Sequence, residues 1–186
     1  MTWPTSSTSS ERGVYLLDTS VASIAVNVGS TKHAAVQRFI AGTPLFADQI
    51  FLSVVTVAEI HAGVAALALK VPPAARARIE EIDRRAQLIG QLGTILPVTT
   101  HIAKEHATLK IAYARKHAPT LLQKAALKSK PVELWHEGLV ASSLQVTEND
   151  LWIAATAIAH DLTLLSADGD HLRMKAADPR LQIIAF

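Results

Sequence analysis

Four acidic residues carry the most specific chemistry this chain offers: Asp18, Glu59, Asp150 and Asp168, with Asp170 two positions beyond the last. Carboxylates gathered in one small site repel one another and raise each other's pKa. A hard divalent cation removes that cost. Mg²⁺ prefers oxygen ligands, keeps several waters and is usually bound by few carboxylates together with a substrate phosphate. Such an ion lowers the pKa of a water and stabilises charge on a phosphoryl group. The local sequence suits a cation: Thr147 to Asp170 holds five acids (Glu148, Asp150, Asp161, Asp168, Asp170) and no Lys or Arg.

Each acid also has a purely structural reading. Thr56-Val57-Ala58-Glu59 and Thr147-Glu148-Asn149-Asp150 both fit the capping-box pattern, in which the acid only satisfies a helix N-terminus. Asp18 after a strand fits a turn or cap. Asp168-Gly169-Asp170 fits a plain turn, since Asp and Gly favour turns. Taken singly, none is diagnostic; it is the set that points to a cation.

Other chemistries have less support. The chain has no cysteine, which excludes disulfides, zinc-thiolate sites and thiol catalysis. Its eight histidines form no HExxH motif, and His101 and His106, five apart, do not share a helix face. His61 and His171 lie near the acids in sequence, as supporting or substrate groups or simply as satisfied histidines. No GxSxG, P-loop or GxGxxG is present. From His101 to Lys130 run seven bases (Lys104, Lys110, Arg115, Lys116, Lys124, Lys128, Lys130) against one acid, Glu105. That stripe is either a solvated helix face or a contact for nucleic-acid phosphates. Trp135 and Trp152 can stack on bases, but core or interface packing is the commoner use.

The elements that must position the acids follow from the apolar pattern. Val14–Leu17 reads as a buried strand ending at Asp18, with Thr19 or Ser20 capping a helix over Val21–Val28. Lys32–Ile40 reads as a short amphipathic helix, broken at Gly42 to Pro44. Ile50–Val54 is a second strand, and Thr56 opens a helix to about Leu69, stopped by Pro72 and Pro73. Pro73–Gly90 is helical, with Ile79, Ile82, Ala86 and Ile89 on one face; Thr94–Val98 is a third strand. His101–Lys116 is the basic helix, and Leu121–Leu127 a further short one. Glu148–His160 is an almost wholly apolar helix, hence buried. Leu162–Leu165 and Gln182–Phe186 are the last strands.

Strands alternate with helices, and the strand runs are continuously apolar. This predicts an α/β fold with a mainly parallel sheet. Sites in such sheets lie outside the carboxyl ends of the strands. Asp18, Glu59 and Asp168 can converge on that edge, whereas Asp150 depends on the fold to bring its helix there.

The 186 residues, 49% hydrophobic, suffice for one domain with an ordinary core. Residues 1–13 are polar, lack an apolar signal core, and read as a flexible extension. The longest apolar stretch, Ile50 to Leu69, carries Glu59 and His61 near its middle, so it reads as strand and helix rather than a membrane span. The net charge of +2 says little by itself.

Four segments resemble the PIN-domain ribonucleases, especially toxins of the VapC type. Tyr15-Leu16-Leu17-Asp18-Thr19-Ser20 is similar to their opening strand and acid, and Val57-Ala58-Glu59-Ile60 with Gly63 to their second acidic motif. Glu148-Asn149-Asp150-Leu151-Trp152-Ile153-Ala154-Ala155 closely resembles the third, and Leu164-Leu165-Ser166-Ala167-Asp168-Gly169-Asp170 the fourth. The motifs stand in family order over Val14 to Phe186. The resemblance implies a PIN-like three-layer sandwich around about five mainly parallel strands, as a single domain over 14–186. It implies an endoribonuclease dependent on Mg²⁺ or Mn²⁺, with Asp18, Glu59, Asp150 and Asp168 as catalytic and metal-binding residues. Asp170 is the alternative fourth acid, and Ser166, where the family often has Thr, assists with water or metal. It further implies RNA as substrate, a VapB-like antitoxin as partner, a homodimer, a cytoplasmic location and no membrane. A PIN nuclease of RNA maturation without an antitoxin, or a non-catalytic RNA-binding module, are the alternative functions. The chain departs from the pattern at His171, where an aromatic, usually Phe, is common, and in a longer 113–146 segment that reads as a helical insertion or arm.

Overall fold

The computed structural model describes residues 13–42, 49–70, 72, 76–123, 129–131, 134, 136 and 138–186. Five strands, β1 (Tyr15–Leu17), β2 (Ile50–Ser53), β3 (Thr94–Leu96), β4 (Thr163–Ser166) and β5 (Gln182–Ala185), form one sheet in the order β3-β2-β1-β4-β5. Every pairing is parallel, so the expected mainly parallel sheet is wholly parallel among the described strands. Leu16 in β1 lies opposite Phe51 on one side and Leu164 on the other.

Side chains alternate across a strand, and here both faces are covered. Leu16 and Leu164 point to one face, into a core with Leu109 and Tyr113 of α5 (Thr100–His117), Leu144 of α7 (Ala141–Leu144), Leu151 and Ala154 of α8 (Glu148–Ala159) and Met174 of α9 (Asp170–Ala177). Leu17, Leu52 and Leu165 point to the other. They meet Val21 and Ala25 of α1 (Thr19–Val26), Val36 of α2 (His33–Gly42), and Ile89 of α4 (Arg76–Gly90). Ile60 of α3 (Val54–Lys70) packs at the edge of this second core. The result is a three-layer α/β/α sandwich. A short α6 (Pro119–Gln123) follows α5.

Several element boundaries differ from the sequence reading. Asp18 itself stands at the N-cap of α1, so the helix begins at Thr19 and neither Thr19 nor Ser20 is the cap. α3 begins at Val54, because the Ser53 hydroxyl accepts a hydrogen bond from the Val55 N–H at 3.2 Å and starts the helix two residues before Thr56. That shift moves Glu59 into the second turn and removes its capping-box role. The predicted extension at 1–13 lies almost wholly outside the described residues, as do Thr43 and Pro44 of the predicted break and residues 124–127 of the predicted Leu121–Leu127 helix. Within the 113–146 segment, Tyr113, Leu139, Leu144 and Val146 are buried in the first core.

At the end of α9 the buried Asp178 accepts from the Arg180 side chain at 2.7 and 3.1 Å, and Arg180 also reaches Glu105 of α5 at 2.8 Å. The Arg180 hydrogen bonds hold the Asp178 carboxyl below the usual carboxylate range. Since its folded pKa is depressed, its contribution is complete above the unfolded value of about 4 and is lost as pH falls through the lower folded value. Asp178→Asn is therefore expected to reduce stability by about 1 kcal/mol at pH 7, Arg180 being half exposed. Urea titrations at several pH values measure it; a deficit that persists unchanged in strong acid contradicts the ionic origin.

Candidate active site

Within the sheet, β2 lies beside β1 on one edge of that strand and β4 on the other. Such a reversal of strand order opens a crevice at the carboxyl ends of β1 and β4. Asp18 ends β1 and Asp168 follows β4, so both acids flank that crevice.

Asp18 is 2% exposed and tightly held. Its backbone N–H donates to Leu165 O at 3.0 Å, extending the β1–β4 ladder by one bond. Its Oδ1 accepts from the Thr19 N–H at 2.6 Å. Its Oδ2 accepts from the hydroxyls of Ser20 at 2.6 Å and Ser166 at 2.9 Å. The Ser20 hydroxyl in turn accepts from the Ala167 N–H at 3.0 Å, tying α1 to the β4 exit.

Asp150 lies in the first turn of α8. Thr147 caps that helix: its hydroxyl accepts from the Asp150 N–H at 3.1 Å and donates to Asp150 Oδ2 at 2.5 Å. The cap and the acidic cluster thus use the same residue, and the two readings of this motif are not exclusive. Burial pushes the Asp150 carboxyl above the usual carboxylate range. The charges of Asp18 and Asp168 add to that rise, against the Thr147 hydrogen bond and His171. One carboxylate oxygen each of Asp18 and Asp150 and a ring nitrogen of His171 lie within 4.8 Å of one another.

Glu59 is bridged between two helices. Its Oε2 accepts from the Thr19 hydroxyl at 2.5 Å and its Oε1 from the Asn149 amide at 2.9 Å, joining α3 to the starts of α1 and α8. Asp168 lines the cavity while its Oδ1 accepts from the Asp170 N–H at 2.9 Å. Asp170 is not among the lining residues; it pairs with Arg173, one turn along α9, at 3.4 Å.

The cavity, about 380 Å³, is lined by Asp18, Thr19, Ser20, Ser23, Glu59, Thr147, Asp150 and Asp168. Every one of these side chains ends in oxygen, four as carboxylates and four as hydroxyls. That donor set, with the Asp150 carboxyl raised by burial and further by the charges of Asp18 and Asp168, fits a hard divalent cation. The sequence reading named the four acids. Thr19 and Ser20 read there only as candidate helix caps, and Ser23 and Asn149 carry no expected role; the signal for all four is their place within five residues of Asp18 or Asp150.

Several of the other groups that the sequence singled out are spent elsewhere or stay on the surface. Lys110 gives its ammonium to both oxygens of Glu148, at 2.8 and 2.9 Å, and Lys116 donates to the Ala176 carbonyl. Lys104 and Arg115 are exposed, and Lys124 and Lys128 lie outside the described residues. Trp152 stacks on His106 with ring centres 3.9 Å apart, which closes one of its faces to a base. Burial lowers the His106 pKa, and its Nε2 lies 2.9 Å from Glu148. His61 is exposed, and Trp135 lies outside the described residues.

The model of the PIN domain family matches residues 15–177. Ribonuclease VapC4 of Mycobacterium tuberculosis is 44% identical over 48 residues, which are 26% of this chain and 34% of that relative, so the match spans about a third of the relative's length. Among solved structures, FitAcB from Neisseria gonorrhoeae is similar at 26% identity with a TM-score of 0.59, over 92% of this chain and 96% of that one. VapBC2 from Rickettsia felis, bound to a DNA fragment from their promoter, is similar at 19% identity with a TM-score of 0.56, over 92% of this chain and 98% of that one. At such identity the second likeness concerns the fold alone.

Proposed function

Because the chain belongs to the PIN domain family, we propose that it is a metal-dependent endoribonuclease, the toxin of a toxin–antitoxin pair. The observation that carries this reading is a cavity at the sheet's carboxyl edge lined by four carboxylates and four hydroxyls. Asp18, Asp150 and Asp168 would hold the cation, with Glu59 as a further ligand or a contact through water. When bound, Mg²⁺ or Mn²⁺ would supply acidity to a water and neutralise charge on the scissile phosphate.

The chain's own residues do the positioning. Thr19 N–H, Ser20 and Ser166 fix both oxygens of Asp18, so little reorganisation remains when a cation arrives. Thr147 orients Asp150 and the α8 N-terminus sets that carboxylate at the cavity wall. Cleavage of a single-stranded RNA by the purified chain, with Mg²⁺ or Mn²⁺ and with EDTA, tests the reading. Metal-supported cleavage abolished by chelation is expected; intact RNA under all conditions overturns it.

Glu59 offers a finer test. Asn149 holds its Oε1, and Asn149→Ala leaves the carboxylate tethered by Thr19 alone. Misplacing a contributing group lowers turnover, here by about tenfold, with KM little changed and thermal stability within about 0.5 kcal/mol of the parent. Steady-state cleavage kinetics measure it; parental turnover means that Glu59 needs no such tether.

An antitoxin partner has support beside the acidic cavity. A second cavity of about 330 Å³ runs between α1, α3 and α4, lined by apolar side chains such as Val26, Ile60, Val64 and Ile89. It shares Thr19, Ser23 and Glu59 with the acidic cavity. A partner segment seated in this groove would lie against Glu59 and Thr19, at the rim of the acidic cavity. We read residues 14–186 as one domain, in support of which the described part of 113–146 contributes buried side chains to its core. A homodimer and a cytoplasmic location complete the proposal. No helix among the described residues is long and apolar enough to cross a membrane.

A further inference from the structure

We propose that His171 is a positioning residue of the metal site: its buried ring holds the Ser166 hydroxyl, and Ser166 holds Asp18 for the cation. The inference rests on the cation reading given above and extends it to a side chain that does not line the cavity.

His171 is fully buried at the start of α9. Its Nδ1 lies 3.0 Å from Ser166 Oγ, and Ser166 Oγ lies 2.9 Å from Asp18 Oδ2. Between Nδ1 and Asp18 Oδ2 the distance is 3.9 Å, too long for a hydrogen bond, so the hydroxyl is the link between them. Proton counting fixes the direction. A serine hydroxyl has one proton and two lone pairs. Its proton goes to Asp18 Oδ2, and one lone pair takes the Asp168 N–H at 3.0 Å. The second lone pair is then left for Nδ1–H of His171.

The far side of the ring agrees with that assignment. His171 Nε2 is buried without a hydrogen-bond partner. With the proton on Nδ1, Nε2 bears only an unused lone pair; with the proton on Nε2, a buried donor would be orphaned, the rarer and costlier condition. The chain of bonds therefore runs from His171 through Ser166 to Asp18, and the same hydroxyl also anchors the backbone of Asp168. Two of the proposed cation ligands are set by one oxygen, and His171 sets that oxygen. Groups hydrogen-bonded behind a ligand in this way typically change metal affinity by about 10–100-fold when lost.

The test uses the whole chain and Mn²⁺, with affinity read by calorimetry and stability by thermal melting without metal. His171→Phe keeps an aromatic ring of similar volume and removes the donor. We expect about tenfold weaker Mn²⁺ binding and a melting temperature without metal that does not fall, since the unpartnered nitrogen is gone. His171→Asn can present its amide N–H near the Nδ1 position and is expected to recover affinity to within about threefold of the parent, which a role in filling space alone would not give. Parental Mn²⁺ affinity in His171→Phe overturns the inference while leaving the cation reading intact. Nitrogen-14 coupling from a directly bound imidazole, in the electron spin-echo spectrum of the Mn²⁺ complex, also overturns it, in favour of ligation by His171. Failure of the parent chain to bind Mn²⁺ or Mg²⁺ at all overturns the cation reading itself.

Discussion

Asp18→Asn and Asp150→Asn are each expected to lower metal-supported RNA cleavage by at least about a hundredfold, roughly 2.7 kcal/mol in the barrier. Both changes keep the side chain's shape and remove the charge that would hold the cation. Asp150→Asn is not expected to destabilise the metal-free protein, whereas Asp18→Asn also gives up hydrogen bonds that Asp18 accepts from Ser20 and Ser166. Burial and the charges of Asp18 and Asp168 all disfavour the ionised form of Asp150, so a neutral amide there relieves repulsion even as it disturbs the Thr147 bond. The melting temperature of Asp150→Asn without metal should hold or rise, while its increase on adding Mn²⁺ should vanish. Loss of activity together with loss of stability in Asp150→Asn would mean that this acid serves the fold. Undiminished cleavage by either variant would remove that residue from the site.

The same assay separates Asp168 from Asp170. Asp168 lines the cavity, while Asp170 pairs with Arg173 in the first turn of α9. Asp168→Asn is expected to behave like the two central acids. Asp170→Asn gives up only a partly exposed ion pair, worth about 0–1 kcal/mol, and is expected to cleave RNA at close to the parental rate.

Leu16→Ala is expected to cost about 3 kcal/mol of folding stability. Leu16 has no exposed surface, lies in the central strand, and is flanked by Phe51 and Leu164 in the neighbouring strands. The first core closes over it from α5 and α8, so the cavity left by truncation cannot collapse without moving a helix. With a total stability of only about 5–15 kcal/mol, that loss removes a large part of the margin. Leu172→Ala, at a side chain half exposed on α9, should change stability by less than about 0.5 kcal/mol. Urea unfolding of both variants checks the contrast, and a loss below 1 kcal/mol for Leu16→Ala would contradict the described packing.

The two expectations meet in β1. Leu16 faces one core, Leu17 the other, and the next residue, Asp18, has no third apolar layer to enter. It therefore stands at the sheet edge, on the rigid end of a strand buried on both faces. A site built there inherits the order of the core, because its carboxylate is placed by a ladder bond to Leu165 rather than by a loop.

The amino-acid sequence by itself determined the elements and their alternation. Apolar runs at Val14–Leu17, Ile50–Val54 and Leu162–Leu165 mark strands buried on both sides, and the apolar periodicity between them marks the covering helices. These are local signals, carried by residues within a few positions of each other. The acids Asp18 and Asp168 were legible as strand-end residues for the same reason. Tertiary structure alone decided which acids share a cavity. It set β4 beside β1, brought the α8 N-terminus to their ends, and gave Asp168 rather than Asp170 to the lining. It also started α3 at Val54, which released Glu59 from a helix cap, and buried His171 behind Ser166. These outcomes depend on hydrogen bonds and burial between residues as far apart as Asp18 and Ser166, 148 positions in the chain. Periodicity and capping patterns report only on neighbours, so without the fold the four acids can be grouped only through the resemblance of their motifs.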